Sequence, residues 1–405
     1  MNKSRLALRN LLRSPRRTLL TMSAVIAGVG VFILGDGFVS GITENILISA
    51  IDDTVGHVMA RPAGYPVQAN QRPVDELLTI TASTRSLLNR RAVAWTERAY
   101  FAPIAANGQD SLRVLAIGYD AQRDPRVFPR THWSIEGRMP DNDEPAIAVS
   151  HRVARLLDLS VGTSLILQVR THAGAMNALN ARVAAVLSTH NAALDLFGVF
   201  VPAQLWQTLL ATTLPSHISV KLPSRDEARP FAAELARALG SQAEVVTFID
   251  ETAELLDLQR IRTRSLKVVM MILMALAGFG IANTILMATY ERVREIGTLR
   301  ALGMNETDVL RLFMLEGCLL GLVGSLLGAL WGGALTSYWA HNPIDFSTAL
   351  ENSKNNVSVS AFVYTRFSLT VIGATIAVGV LVATIASIYP ARAAARISPA
   401  DAVRD

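Results

Sequence analysis

The stretch VVMMILMALAGFGIANTILMAT, Val268–Thr289, carries no charge between Lys267 and Glu291. A helix crosses the bilayer core with about 20 apolar residues, so this stretch reads as a membrane span. Downstream, GCLLGLVGSLLGALWGGALTSYW (Gly317–Trp339) and FSLTVIGATIAVGVLVATIASIY (Phe367–Tyr389) meet the same test. Upstream, TLLTMSAVIAGVGVFILGDGF (Thr18–Phe38) is a fourth. The 405 residues are 51% hydrophobic and 18% charged, with a mean hydropathy of +0.33. That is too apolar for an ordinary soluble chain and too charged for one wholly embedded in lipid. The expected fold is membrane α-helical, with four transmembrane helices plus a large α+β extracytoplasmic domain inserted between the first and second.

Charge sets the orientation, because Lys and Arg beside spans stay on the cytoplasmic side. Lys3, Arg5, Arg9, Arg13, Arg16 and Arg17 precede the first span, with no acid among them. Arg292, Arg294, Arg300 and Arg311 fall in the loop after the second span, and Arg392, Arg396 and Arg404 in the tail. The loop between the third and fourth spans holds only Lys354 and Arg366. Both termini and the 290–312 loop are therefore expected on the cytoplasmic side. The same placement makes the net charge of +5 a matter of topology and lipid contact, with no nucleic acid as partner. The first span has the basic start of a signal peptide, but its apolar core is long and no small-x-small cleavage site follows. An uncleaved anchor is expected. The single cysteine, Cys318, lies in an apolar run, which excludes an intrachain disulfide and a Cys-based zinc site.

The outer segment alternates strand and helix signals. Strands are expected at Gly56–Pro62, Ser111–Asp120, His217–Pro223 and Glu244–Phe248. Helices are expected at Leu77–Arg90 and Arg225–Gly240. Ala146–Leu159 and Phe197–Leu210 each read as a strand followed by a helix. Ser164–Arg170 and Ala181–Thr189 read as a hairpin linked by THAGAMNALN, and Ile249–Lys267 as a helical stalk.

No phosphate-binding loop, Gly-x-Ser-x-Gly elbow or His-Glu-x-x-His occurs. The seven histidines (57, 132, 151, 172, 190, 217, 341) are scattered. The chain is expected to be no enzyme and to hold no metal. Gly317, Gly321, Gly324, Gly328 and Gly332 share one face of the third span, a pattern for close helix packing within the chain or across a dimer. Asp36 and Glu316 sit near span ends, where solvation at the interface is expected. The loop ERVREIGTLRALGMNETDVLRLFMLEG (Glu291–Gly317) alternates charges with Ile296, Leu299, Leu302 and Met304. That predicts a short amphipathic helix ended by Gly303, with Asn305 or Thr307 capping the next. It either rests on headgroups or docks into a cytoplasmic partner.

ERVREIGTLRALG, followed by the glycine-rich span, resembles the permease module of the MacB, FtsX and LolC/LolE families of ABC transporters. RNLLRSPRRTLLT and YPARAAARISPADAVR resemble the same families' terminal signatures, and VARLLDLSVGTSLIL matches the outer domain more loosely. The resemblance implies a bacterial inner-membrane permease with no fused ATPase. ATP and Mg would be bound by a separate cytoplasmic ABC ATPase dimer, with no cofactor in this chain. It implies pairing with a second permease protomer, identical or related, and mechanotransmission from ATPase to outer domain. It assigns residues 1–40 to the basic tail and first helix, 41–265 to the periplasmic domain, and 266–405 to the permease domain. The outer domain would divide into a membrane-proximal part (45–120 and 215–255) and a distal part (121–214). Carried over by position, Glu291, Arg292, Glu295, Ile296, Leu299, Arg300 and Gly303 would form the ATPase-coupling element. The hairpin tip Thr171–Asn180 sits where the lipoprotein-release branch can carry an extension that binds a chaperone or adaptor.

Two functions fit. One is extraction or expulsion of lipoproteins or other amphipathic cargo from the outer leaflet, through a cleft lined by Phe38, Ile42, Ile46 and Met270. The other is a signalling scaffold that transports nothing and regulates a periplasmic partner such as a cell-wall hydrolase.

Overall fold

The computed structural model describes residues 15–65, 73–189, 191–345 and 362–396. Lys3, Arg5, Arg9, Arg13, His190, Lys354 and Arg404 lie outside them, as does the side chain of Leu299. Contacts divide the chain into two compact units, one built on the segments to Glu44, Asp257–Ile344 and from Val363, the other chiefly on Asn45–Leu256.

The first helix, α1 (Pro15–Ser49), ends in a π-helical turn at Ala50–Thr54. The inserted domain then runs β1 (Val58–Pro62), α2 (Ala82–Arg91), β2 (Ala94–Phe101), β3 (Ile104–Ala106), β4 (Ser111–Arg113) and β5 (Leu115–Tyr119). It continues with α3 (Asp124–Val127), β6 (Ser134–Gly137), β7 (Ala146–Ser150), α4 (His151–Leu156), β8 (Ser164–Arg170) and β9 (Met176–Ser188). It closes with α5 (Ala192–Phe197), β10 (Gly198–Pro202), α6 (Ala203–Leu210), β11 (His217–Lys221), α7 (Ala228–Leu239), β12 (Ala243–Thr247) and α8 (Phe248–Glu251).

One mixed sheet results, in the order β12-β1-β11-β2-β5-β10-β7-β9-β8-β3-β4, with β6 on β9. Pairing is antiparallel from β12 to β5, and β5 then pairs parallel with β10, as β7 does with β9. At the first end, Val58, Ala60, Ile218 and Val220 pack under Leu88 of α2 and Phe231 and Leu235 of α7. At the other, Ile147, Val149, Leu165, Val183 and Val199 meet Trp206 and Leu209 of α6. A further cluster, with Ile117, Tyr119, Trp133, Ala148, Leu187 and Phe200, fills out this second end.

Several elements depart from the sequence reading. Strand β2 was not expected, because its inward positions Thr96, Arg98 and Tyr100 are polar or amphipathic yet buried. The 111–120 strand breaks at Val114, whose N–H turns to the Pro103 carbonyl at 3.0 Å. Helix α2 begins at Ala82, not Leu77, because the Thr81 hydroxyl accepts the Thr84 N–H at 3.2 Å and caps it. The hairpin linker is shorter than read: Arg170 pairs with Met176, and Gly174 turns at φ +86°.

The other unit holds α9 (Ala253–Glu291), α10 (Val293–Ala301), α11 (Glu306–His341), α12 (Leu369–Ala386) and α13 (Ile388–Ala395). Four helical stretches are long and apolar enough to cross a membrane: Thr18–Thr54, Ala253–Glu291, Glu306–His341 and Leu369–Ala395. Val25, Val29, Ile33, Met274, Ile281 and Ile285 form the core with Phe313, Ala329 and Ala383.

The α11 glycines pack inside the chain and serve two neighbours. A Cβ at Gly317 would lie 2.5 Å from the Ser387 Cβ, and one at Gly321 would collide with Ala383. Farther along, Gly324 faces Val25 of α1, Gly328 faces Ile26, and Gly332 lies against Gly30. Glu316 is only 5% exposed, so helix packing covers it where interfacial solvation was expected.

Candidate functional site

Two features of the membrane unit stand where sequence placed chemistry. The first is the loop helix α10. Gly303 takes φ +99°, a conformation that favours glycine, and its N–H returns to the Arg300 carbonyl at 3.0 Å. Asn305 then starts α11 by backbone alone, with no side-chain cap. Across this turn Arg300 Nη2 donates to Glu306 Oε1 at 3.0 Å.

The faces of α10 differ. Ile296 is 6% exposed and sits in the core with Val309, Phe313 and Ala391. Leu302 is 81% exposed beside the open Gly303. Glu291 and Glu295 are exposed, Arg292 and Arg300 half-buried, and Leu299 lies on the helix backbone. Of the seven positions, Ile296 anchors the helix from below, while Gly303 shapes its exposed tip. Leu302, absent from that set, is the apolar side chain that tip offers.

The second feature is a groove of about 630 Å³ between α1 and α9. Val31, Leu34, Phe38 and Val39 form one wall, Ile261, Leu266 and Val269 the other, with Trp339 and Ile344 at the end. Arg262 is the one charged residue among those lining it. Of the four cleft residues read from sequence, Phe38 lines the groove. Met270 is buried in the helix core, Ile42 lies half-buried farther along α1, and Ile46 belongs to the other unit.

Sequence reasoning missed a third cluster, in the inserted domain. Asp53, on the π-helical turn, is 1% exposed. Its Oδ1 accepts from His132 Nε2 at 2.9 Å and Trp133 Nε1 at 2.8 Å, and its Oδ2 from Ser49 Oγ at 2.8 Å. Its backbone carbonyl accepts from Arg98 Nη1 at 2.9 Å. Asp124 bridges Arg98 and Arg130. Burial opposes its charge, but the two guanidiniums more than offset that and hold its pKa below the usual carboxylate range. Two adjacent acids, Asp52 and Asp53, at a helix end were the available signal. Among the described residues no cluster of His, Cys, Asp and Glu is placed to hold a metal.

Four helices long and apolar enough to cross a membrane, with a large domain after the first and a short helix after the second, describe a polytopic membrane protein. A family model described as MacB-like periplasmic core domain matches residues 18–238, more than half of the chain, and one described as FtsX-like permease C-terminal matches residues 267–399. The chain belongs to this MacB/FtsX-type family of ABC transporter permeases.

Among curated proteins, it is 28% identical over 193 residues to the lipoprotein-releasing system transmembrane protein LolC of Xylella fastidiosa (strain Temecula1), covering 46% of each chain. It is 33% identical over 140 residues to the macrolide export ATP-binding/permease protein MacB of Nitrosomonas europaea, covering 34% of this chain and 18% of that one. The permease YknZ of Bacillus subtilis is 24% identical over 219 residues, 52% of this chain and 50% of its own. The chain spans at most about half the length of these relatives. Among solved structures, the periplasmic region of MacB from Actinobacillus actinomycetemcomitans aligns at a TM-score of 0.37 and 14% identity, covering 53% of this chain and 97% of that one.

Proposed function

We propose that this chain is an ABC permease subunit, powered by a separate ATPase, that takes an amphipathic molecule from the outer leaflet of the bacterial inner membrane. The observation that carries the reading is the groove: apolar walls on two membrane helices with a single guanidinium, Arg262, beside them. Acyl chains or a macrolide's apolar face would fill the walls, and Arg262 would meet an anionic or carbonyl-bearing end. LolC is named for lipoprotein release and MacB for macrolide export, and both cargoes join an apolar body to a polar end.

The loop helix α10 supplies the link to the ATPase. Its exposed tip, Leu302 and Gly303, would enter a groove of the partner, while Ile296 transmits the push into the helix core. The basic flanks of the spans support a cytoplasmic position for this loop and both ends of the chain.

The test is ATP hydrolysis by the complex of this chain with its ATPase in proteoliposomes, with and without a synthetic acylated lipopeptide. Stimulation by the lipopeptide is expected, and Val31→Trp or Val269→Trp, which fill the groove, should reduce it. Stimulation equal in wild type and both variants removes the groove from the mechanism. A complex that hydrolyses ATP but answers to no acylated or macrolide compound favours the signalling alternative.

A further inference from the structure

Immediately before the apolar run Val268–Thr289, helix α9 carries Arg260, Arg262, Arg264 and Lys267, and no acid follows Asp257 until Glu291. Cations beside a span are ordinarily held on the cytoplasmic side. These four stand at the opposite end of α9 from the 290–312 loop, so topology supplies no reason for them. Arg366, at the same end of the bundle, is paired with Glu44 at 3.3 Å.

The four divide by helix face. Arg262, with Ser265 and Val269, lines the groove already described. Arg260, Arg264 and Lys267 recur at spacings of four and three, which puts them on one face. That face lies about half a turn round the helix from the groove side. Met271 continues it four residues on and is 64% exposed, and Val268 beside it is 50% exposed. A row of cations above an apolar strip matches the order of a phospholipid, headgroup above acyl chain.

Little in the protomer answers this charge. Arg260 Nη1 donates to Asp257 Oδ1 at 2.6 Å, an exposed pair one turn away. Arg264 and Lys267 are exposed and make no hydrogen bond or ion pair among the described residues. Asp36 of α1 acts on Lys267 through space alone. Their depth is marked by Trp339, which lines the groove with Leu266, and by Tyr338, 61% exposed at the same end of α11. Trp and Tyr collect at headgroup level, so Lys267 and Arg264 stand among phosphates.

We propose that the face of α9 bearing Arg260, Arg264 and Lys267 binds the headgroup of an anionic phospholipid in the outer leaflet, at a site distinct from the cargo groove. The inference rests on the reading of the chain as a permease with its inserted domain outside. The Arg264 guanidinium offers a planar fork that matches two phosphate oxygens. The Lys267 ammonium is a flexible point charge one turn nearer the hydrocarbon. Arg260, a turn farther out and shared with Asp257, adds field rather than contact. Met271 and Val268 meet the upper part of the acyl chains. Helix α9 runs unbroken for 39 residues through this level, so a lipid held here fixes the depth at which it leaves the bilayer.

The test is native mass spectrometry of the purified full chain, titrated with phosphatidylglycerol or phosphatidylcholine of matched acyl chains. Wild type should bind the anionic lipid at least about tenfold more tightly. A cation near an anionic headgroup is worth roughly fivefold in binding, so Arg264→Gln with Lys267→Gln should weaken phosphatidylglycerol about twentyfold. Phosphatidylcholine affinity should not change. Arg264→Lys, which keeps the charge and loses the fork, should fall between. Arg229→Gln with Arg237→Gln removes the same charge from α7 and should alter neither lipid. All four side chains are exposed, so detergent melting should match wild type. On a Cys318→Ala background, a benzophenone attached at Arg264→Cys should cross-link phospholipid in native membranes. On the same background, Leu258→Cys should react with an impermeant maleimide in right-side-out vesicles.

Equal phosphatidylglycerol affinity in wild type and the paired Gln variant overturns the site and leaves the permease reading standing. An equal loss for both lipids does the same, since headgroup charge would then play no part. A benzophenone captured by a polypeptide instead of lipid assigns the face to a protein and overturns the proposal. Leu258→Cys that reacts only after permeabilisation overturns the outward orientation, and the outer-leaflet site falls with that reading.

Discussion

Arg98 and Asp124 meet fork to fork inside the inserted domain, Nε to Oδ1 at 2.7 Å and Nη2 to Oδ2 at 3.1 Å, with neither side chain exposed. The guanidinium also lies 3.5 Å over the Phe128 ring and reaches the π-helical turn through the Asp53 carbonyl. Removing one partner strands a buried charge, which costs about 3–5 kcal/mol. Asp124→Ala should therefore lose about that much in denaturant unfolding of the full chain in detergent, followed by tryptophan fluorescence. Arg98→Met combined with Asp124→Leu should cost less than Asp124→Ala alone. A double variant as unstable as the sum of its parts would contradict the pairing argument.

The same turn carries a pH dependence. The bond to Asp53 raises the His132 pKa above its ordinary value, against partial desolvation, and Asp52 adds attraction. A raised native pKa stabilises fully below the unfolded value of 6.5, and the contribution is lost as pH rises through the raised native value. The His132 side chain is 35% exposed, so screening limits the effect to about 0.5 kcal/mol. Melting of wild type minus His132→Gln, measured at mildly acidic and mildly alkaline pH, should show the advantage at acid pH alone. An advantage that grows with pH would reverse the sign argued here.

Glycines of the membrane helices divide by what surrounds them. A Cβ at Gly332 would lie 2.6 Å from the Gly30 carbonyl oxygen and 2.8 Å from its Cα, backbone that cannot rotate away. At Gly373 nothing stands within 4 Å. Gly332→Ala should cost about 1–3 kcal/mol by overpacking, and Gly373→Ala nothing or a slight gain. Thermal stability in detergent checks both. Equal melting of the two variants would mean that α1 and α11 separate more readily than their contact implies.

The spans were legible because hydropathy and length suffice for a helix that must satisfy its own backbone in lipid. The glycine face of α11 was legible by spacing too. Its neighbours were not, since periodicity fixes a face and says nothing of which helix lies against it. Strand β2 escaped because Thr96, Arg98 and Tyr100 reverse the usual sense of a buried face, and the burial of Arg98 depends on Asp124, distant in sequence. At the candidate sites the limit was similar. Phe38, chosen by its place on the first span, lines the groove, while Met270, three residues from Lys267, gave no sign of pointing into the core.

Ile296 and Leu302 separate two meanings of an amphipathic loop helix. Both are apolar, yet one is 6% exposed and the other 81%. Ile296→Asp would place a carboxylate among Val309, Phe313 and Ala391, so the chain itself should lose stability and yield. Leu302→Asp touches nothing in the protomer core, so folding and detergent melting should match wild type. If the tip enters an apolar groove of the ATPase, Leu302→Asp should weaken co-purification with it about tenfold or more, as loss of a central apolar anchor does. Leu302→Met, which keeps the apolar contact, should restore most of it. A Leu302→Asp chain that melts like wild type and binds the ATPase equally well would leave the loop on the headgroups, and the coupling assignment would fall.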